Sequence, residues 1–333
     1  MQPTLTAELG VGEARNPAMA LRVERVERAA DGVLLLRFVD PDGAPLPPWE
    51  PGAHLELVLP SSLIRHYSLC GDPADAGAYT VVVLRVADGR GGSREIHDSE
   101  LSGQVLTVRG PRNHFRLVDA PSYLLLAGGI GVTPLVAMSR QLSERGANWQ
   151  MVYGGRNHAA MAFRAQLLSL GGDRVRVVPQ DEEGIPNFEE IIGRVPDGTA
   201  IYCCGPEPMI RHVEDVWTPR RGSTSLHIER FAPSGKLAEV DSDGDHPFEI
   251  ELKRRGVVLT VPAGCSALDI VREVVPNHPY SCHEGECGSC EVAVLAGIVD
   301  HRDEVLSDDE RDTNECMMLC VSRAMSDRLV IDL

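Results

Sequence analysis

The sequence predicts a multidomain chain in which an antiparallel β-barrel leads into an α/β domain with a parallel sheet, followed by a smaller α+β domain. Three observations carry this. Short β-type runs separated by turn signals fill the first third, strands alternate with helical patterns in the second, and a tight cysteine cluster marks the last. At 333 residues the chain also exceeds what one hydrophobic core usually organises.

A disordered tail is expected over residues 1–18 and the barrel over 19–118. Its strands are "LRVERVERA", "GVLLLRFVD", "HLELVLP", "HYSLC", "YTVVVLRV" and "QVLTVRGP", divided by "PDGAPLPPWEPG", "GDPADAG" and "ADGRGGS". From Tyr123 the rhythm changes, and residues 119–232 read as alternating strands and helices. "YLLLA", "WQMVYGG", "RVRVVPQ" and "AIYCCGP" are the strands; "TPLVAMSRQLSERG", "AMAFRAQLLSL" and "NFEEIIGRV" are the helices. A linker rich in Pro, Gly, Ser and Asp is expected over 233–247. The last domain, 248–333, has strands "FEIELKR" and "GVVLTVP", a helix starting at Ser266, the cysteine loop, and strands "EVAVLA" and "LVIDL".

A net charge of -17 repels nucleic acid and anionic membranes and attracts a basic protein partner. The N-terminus lacks a secretory pattern, and the most apolar run, "YLLLAGGIGVTPLVAM", is too short to span a bilayer, so a cytoplasmic protein is expected. Thiols stay reduced there, and nine cysteines, an odd count, point to a metal centre or catalysis rather than disulfides.

The cluster "SCHEGECGSC" spaces Cys282, Cys287 and Cys290 by four and two residues, and Cys320 follows in "MMLCVSRA". Structural zinc usually takes two pairs of closely spaced cysteines. One triplet with one distant cysteine is instead the plant-type [2Fe-2S] spacing. Gly285 and Gly288 let the loop turn its amides toward the sulfurs, and Ser289 offers a further hydrogen bond. Buried thiols or a zinc knuckle with His283 is the alternative. Cys70, Cys203, Cys265 and Cys316 read as small buried hydrophobes, with Cys316 a weaker rival to Cys320.

Three further motifs stand in order: "RHYSLC" (65–70) with "GRGGS" (89–93), "AGGIGVTP" (127–134), and "YCCGPEPM" (202–209) followed by "IERF" (228–231). The second lies between a strand and a helix, where exposed amides and the helix dipole favour a pyrophosphate. With the cysteine loop, the chain from about Leu21 onward resembles the phthalate dioxygenase reductase family, related to ferredoxin-NADP reductases: flavin barrel, nucleotide domain and C-terminal plant-type ferredoxin domain of the β-grasp type.

The resemblance implies FMN rather than FAD, with Arg65 at its phosphate, Tyr67 beside the ring system, Ser68 near N5 and His66 in the same strand. Gly91, Gly92 and Ser93 would complete the phosphate loop, and Val82 and Val83 would border the ring. Gly129, Gly131, Val132 and Thr133 would hold NADH, with NADPH left open by Arg156 in "YGGRN" near the adenosine ribose. Cys204, Glu229 and Phe231 would surround hydride transfer, Phe231 on the flavin face that the nicotinamide must occupy.

The function so implied is an NADH-dependent reductase passing electrons through FMN and a 2Fe-2S cluster to a Rieske-type oxygenase or O-demethylase. A reductase for a cytochrome P450 or diiron monooxygenase is the alternative acceptor system, and a non-enzymatic metal-binding module is the alternative class. The acidic stretch "DEVLSDDERDTNE" (303–315) reads equally as a docking face for a basic partner or as a solvated helix capped by Ser307 with Glu310. A cluster fed by nicotinamide needs a potential well above the about -400 mV of plant-type ferredoxins. A redox titration followed by electron paramagnetic resonance is expected to place it there.

Overall fold

The computed structural model describes residues 18–87, 89, 91–220, 222–231, 245–276, 278–280, 282, 283, 285, 288–303, 305, 306 and 308–333. The expected disordered tail, most of the linker, Cys287 and Ser307 lie outside these residues.

Strands β1 (Met19–Ala30), β2 (Val33–Val39), β3 (His54–Val58), β4 (Ile64–Ser68), β5 (Tyr79–Leu84) and β6 (Val105–Arg112) form one antiparallel sheet in the order β4-β3-β6-β1-β2-β5. A bridge between Leu69 and Val81 brings its two edges together and closes the barrel. Alternate residues turn inward, so Leu36, Phe38, Leu55, Leu57, Val81, Val83 and Val108 form the core. In β3, His54 and Glu56 are buried as well, although they point the other way. Helix α1 (Gly92–Asp98) follows the glycine turn, where the sequence suggested only a loop; Ile96 anchors it in the barrel core.

The second sheet is parallel, with β7 (Ser122–Gly128), β8 (Trp149–Gly155), β9 (Val175–Pro179), β10 (Thr199–Cys204) and β11 (Ser225–Glu229) in the order β11-β10-β7-β8-β9. Every residue of β7 is buried, as expected of a central parallel strand covered on both faces. Helices α2 (Val132–Glu144) and α3 (Arg164–Gly171) pack on one face through Leu135, Val136, Leu142 and Leu167. After the short α4 (Gln180–Glu183), helices α5 (Phe188–Gly193) and α6 (Glu207–Trp217) cover the other through Phe188, Ile192, Ile210 and Val213. Both α6 and β11 exceed the sequence expectation, which stopped at the Cys-Gly-Pro turn.

The C-terminal sheet combines β12 (Phe248–Leu252), β13 (Val257–Val261), β14 (Glu291–Ala296), β16 (Cys316–Met318) and β18 (Arg328–Ile331) in the order β13-β12-β18-β14-β16. A separate pair joins β15 (Val299–Asp300) to β17 (Arg323–Ala324). Helix α7 (Ala267–Val274) is capped by Ser266, whose hydroxyl accepts from the Leu268 amide at 3.1 Å, and it packs on the sheet through Leu268 and Val271. Helix α8 (Asp308–Thr313) precedes β16. Buried Arg323 fastens the chain entering this domain, donating to the carbonyls of His246, Pro262 and Cys265 and pairing with Asp245 at 3.3 Å.

Among the described residues no helix is long and apolar enough to cross a membrane. Cys70, Cys203 and Cys316 are buried as expected, but Cys265 is exposed because it sits in the turn between β13 and α7.

Tyr202 ties the barrel's exit to the parallel sheet: its hydroxyl donates to the Arg116 carbonyl at 2.9 Å and accepts from the Val118 amide at 2.7 Å. Tyr202→Phe leaves that amide unpaired, and a loss of about 1–3 kcal/mol is expected in chemical denaturation.

Candidate functional site

The "AGGIGVTP" stretch becomes the end of β7, a single 3-10 turn (Gly129–Gly131) and the first turn of α2. Gly131 is dictated by contact, since a Cβ there would stand 2.2 Å from the Cys204 carbonyl oxygen. The motif thereby lies directly against the end of β10, and Cys204 pairs across the sheet with Ala127 on one side and Glu229 on the other. A cavity of about 1180 Å³ opens at these strand ends, bordered by residues 84–87, 128–131, 154–156, 205–210 and Phe231. Gly129–Gly131, on its wall, lead directly into α2, so an anionic ligand there would approach the positive end of the helix dipole.

Within it, Gly129, Gly131, Arg156 and Phe231 line the wall. Phe231 is 45% exposed, unusually bare for its size. Val132 and Thr133 are not on the wall: both are buried behind it, the Val132 amide donating to the Gly129 and Ile130 carbonyls and the Thr133 hydroxyl to the Ile130 carbonyl at 3.0 Å. Arg156 is exposed beside the acidic turn of α4; its carbonyl accepts from the Asp181 amide at 3.2 Å.

At the barrel, Gly92 lies so close to Arg65 that a Cβ would meet the guanidine Nε at 2.6 Å, joining "RHYSLC" to "GRGGS". Gly91 opens the turn with a φ of 88°. The Ser93 hydroxyl accepts from the Val86 amide at 3.1 Å and closes the loop. Val82 and Val83 face opposite sides of β5: Val83 points into the barrel core, and Val82 packs outside it with Val33, Cys70 and Ala162. The sequence grouped them as one border; alternation along a strand separates them. Burial raises the Tyr67 phenol well above its ordinary value.

Ser68 donates to Glu229 at 3.2 Å, linking β4 to the end of β11. Burial pushes the Glu229 carboxyl up to about 8, against the opposing effect of the Ser68 hydrogen bond, which favours the charged form. Burial also drives the Cys204 thiol far above its ordinary range, with the adjacent Glu229 and Cys203 adding to it. Cys204 is therefore a neutral thiol, not a thiolate nucleophile.

The cysteine loop lies against the same outward face of β4, one pleat back from Ser68, where Ser289 Oγ and His66 Nε2 stand 2.5 Å apart. Cys320 makes hydrogen bonds with Cys282 and Cys290; the first lowers its thiol, while the second and burial outweigh it and raise it. The Gly285 amide also reaches Cys320. Gly285 adopts a φ of 71° and has no room for a side chain, since a Cβ would stand 2.9 Å from Asp303 Cα. Three thiols converging under a loop amide fit an iron-sulfur cluster, the fourth, Cys287, being outside the described residues. His283 instead packs edge-on against Tyr280, ring centroids 4.6 Å apart.

Part of the acidic stretch is turned inward. Asp303 is buried, its carboxylate accepting from the Val305 and Leu306 amides at 3.2 and 2.9 Å and from the Ser322 hydroxyl at 3.1 Å. It braces the segment beside Cys320 and is not available as a docking charge.

Sequence reasoning missed the polar seam between barrel and loop. His54, Glu56, His66, Arg109, Arg112 and His114 lie on it; His54 stands 5.1 Å from His66 and 5.8 Å from His114, ring to ring. Burial first, then the neighbouring His66, His114 and Arg112, hold His54 well below its ordinary value. The signal was the alternation of "HLELV", whose polar positions read as solvent-facing.

Because the Glu229 value lies above the ordinary 4.5, the folded chain retains a proton that the unfolded chain releases in between. Folding is therefore penalised progressively as pH rises from about 4.5 through about 8. Glu229→Gln removes that penalty, so the variant's melting temperature is expected to gain on the wild type's across this range, as measured by calorimetry at several pH values.

Residues 125–215 match the oxidoreductase NAD-binding domain and residues 250–325 the 2Fe-2S iron-sulfur cluster binding domain. The chain is 37% identical to phthalate dioxygenase reductase of Burkholderia cepacia over 321 residues, 95% of this chain and 97% of that one. It is 39% identical to phenoxybenzoate dioxygenase subunit beta of Ectopseudomonas oleovorans, with the same coverage. Among solved structures it is similar to a phthalate dioxygenase reductase, with a TM-score of 0.67 at 35% identity over 95% of this chain and 98% of that chain. It is also similar to an intact type IV self-sufficient cytochrome P450 monooxygenase, with a TM-score of 0.84 at 40% identity, covering 95% of this chain but 41% of that polypeptide. Fold, nucleotide cleft, cysteine loop and these likenesses agree: the chain belongs to the phthalate dioxygenase reductase family, flavin- and NAD-binding 2Fe-2S oxidoreductases that act as the electron-transfer component of oxygenase systems.

Proposed function

We propose that this chain draws electrons from NADH, carries them through FMN and a 2Fe-2S cluster, and delivers them to a Rieske-type oxygenase or O-demethylase. The observation that carries the proposal is the position of β4. This one five-residue strand meets the nucleotide domain through Ser68 and Glu229 at 3.2 Å, and the cysteine loop through His66 and Ser289 at 2.5 Å. Both contacts leave the same face of the strand, two residues apart, so a flavin held beside β4 would lie near both the nucleotide domain and the cysteine loop. Bound there, FMN supplies the conversion of one hydride into two single-electron transfers.

In this reading residues 19–118 bind FMN, 119–232 bind the nicotinamide nucleotide and 248–333 hold the cluster. Arg65, Gly91, Gly92 and Ser93 take the FMN phosphate, and Tyr67, Ser68 and Val82 border its ring. Gly129 and Gly131 border the NADH pyrophosphate, with Val132 and Thr133 setting the start of α2 behind them. Phe231 occupies the nicotinamide place until displaced, and Cys204 packs beneath it as an uncharged group. Glu229 keeps its proton below about pH 8 and holds Ser68 in place. Cys282, Cys287, Cys290 and Cys320 ligate the iron.

NADH is preferred to NADPH in this reading because the Arg156 backbone is bonded to Asp181 at the start of the acidic helix α4, whose Glu182 and Glu183 stand 3.6 Å from His158 and Arg176. A second acceptor, a cytochrome P450, is supported by the likeness to the reductase part of the self-sufficient monooxygenase.

Purified protein is expected to show flavin and iron-sulfur absorption bands that bleach on adding NADH. The kcat/KM for NADPH is expected to be roughly tenfold lower or more, the worth of one unfavourable charge contact. A colourless protein overturns the proposal. Reduction of a Rieske oxygenase, set beside a P450, decides the acceptor.

A further inference from the structure

We propose that His66 is a positioning residue for electron transfer: with Glu56 and Arg109 behind it, it holds the cluster-binding loop against the barrel through Ser289. The inference rests on the FMN and 2Fe-2S relay proposed above and goes beyond it, to what sets the separation of the two redox partners.

The residues form one row across three strands. Glu56 of β3 pairs in register with Arg109 of β6 on one side and with His66 of β4 on the other. All three belong to the outward face of the barrel, and the Arg109 guanidinium donates to Glu56 Oε1. Glu56 Oε2 accepts no hydrogen bond among the described residues and faces His66 Nε2 at 3.7 Å. The same nitrogen shares a hydrogen bond of 2.5 Å with Ser289 Oγ. The row thus runs Arg109, Glu56, His66, Ser289, and ends one residue from Cys290.

A carboxylate as buried as Glu56 is costly unless paired, and removing its partner is costlier still. Its second oxygen faces the same His66 Nε2 that meets Ser289, so the carboxylate favours a proton on that nitrogen, which the imidazole then donates to the Ser289 hydroxyl oxygen. Arg112 adds a second point of attachment next door, donating to the Gly288 carbonyl at 3.2 Å. Ser289 has a single hydroxyl proton. With the proton on His66 Nε2, the Ser289 oxygen accepts from the imidazole and its own proton turns to another acceptor, so the latch leaves that proton unspent.

The test uses the full-length protein with both cofactors: His66→Ala, His66→Gln, Ser289→Ala and the His66→Ala/Ser289→Ala double variant. Two quantities are read, hydrogen-deuterium exchange of the peptide from Cys282 to Cys290 and the stopped-flow rate of flavin-to-cluster electron transfer. Each alanine variant is expected to speed exchange by about three- to tenfold, the worth of one net hydrogen bond, and to slow electron transfer within the same range. The double variant is expected to do no more than either single one, and His66→Gln to recover part of both effects. Unchanged exchange in His66→Ala overturns the latch. So do single effects that multiply in the double variant, which would mean that the two side chains act separately. Wild-type protein lacking flavin or cluster absorption overturns the relay itself, a separate failure that the spectrum reports before any variant is made.

Discussion

The polar row on the outer face of β3 is the constraint on which the arrangement depends. A barrel strand ordinarily alternates between core and water; here His54 and Glu56 are as hidden as Leu55. The cover over them is the cysteine loop. Among the described residues, barrel and C-terminal domain meet through directional polar contacts, the Arg112 guanidinium with the Gly288 carbonyl and His66 with Ser289, backed inside the barrel by Arg109 on Glu56. Directional contacts of this kind fix a register between domains, which non-directional apolar burial does less strictly.

Charge is managed differently toward the two neighbours of β4. Toward the nucleotide cleft, burial removes it: Glu229 stays protonated to about pH 8 and Cys204 stays a thiol. Toward the cysteine loop, His54 is likewise held neutral, while guanidinium groups remain charged against carbonyls and one buried carboxylate. In the relay proposed above, a nicotinamide would meet neutral groups and a cluster would lie near guanidinium groups.

The fold was readable in the sequence where a pattern had one physical cause. Continuous apolar runs such as "YLLLA" mean a strand covered twice, and glycines before "VTP" mean backbone close to a ligand or a neighbouring strand. Where one pattern had two causes, reading failed. "HLELV" looks like a half-exposed strand because alternation records the barrel and says nothing of what later covers it. Val82 and Val83 were grouped although their side chains diverge, and Asp303 was counted as surface charge although amides and Ser322 consume it. Helix α6 escaped notice because two prolines at its start read as a break rather than as the opening of a helix.

The seam between the barrel and the C-terminal domain is built almost wholly from groups that water also satisfies. Were the two halves parted, the newly bared faces would be hydrated rather than sticky, and neither would be driven to aggregate. Such a joint is held by direction rather than by apolar area.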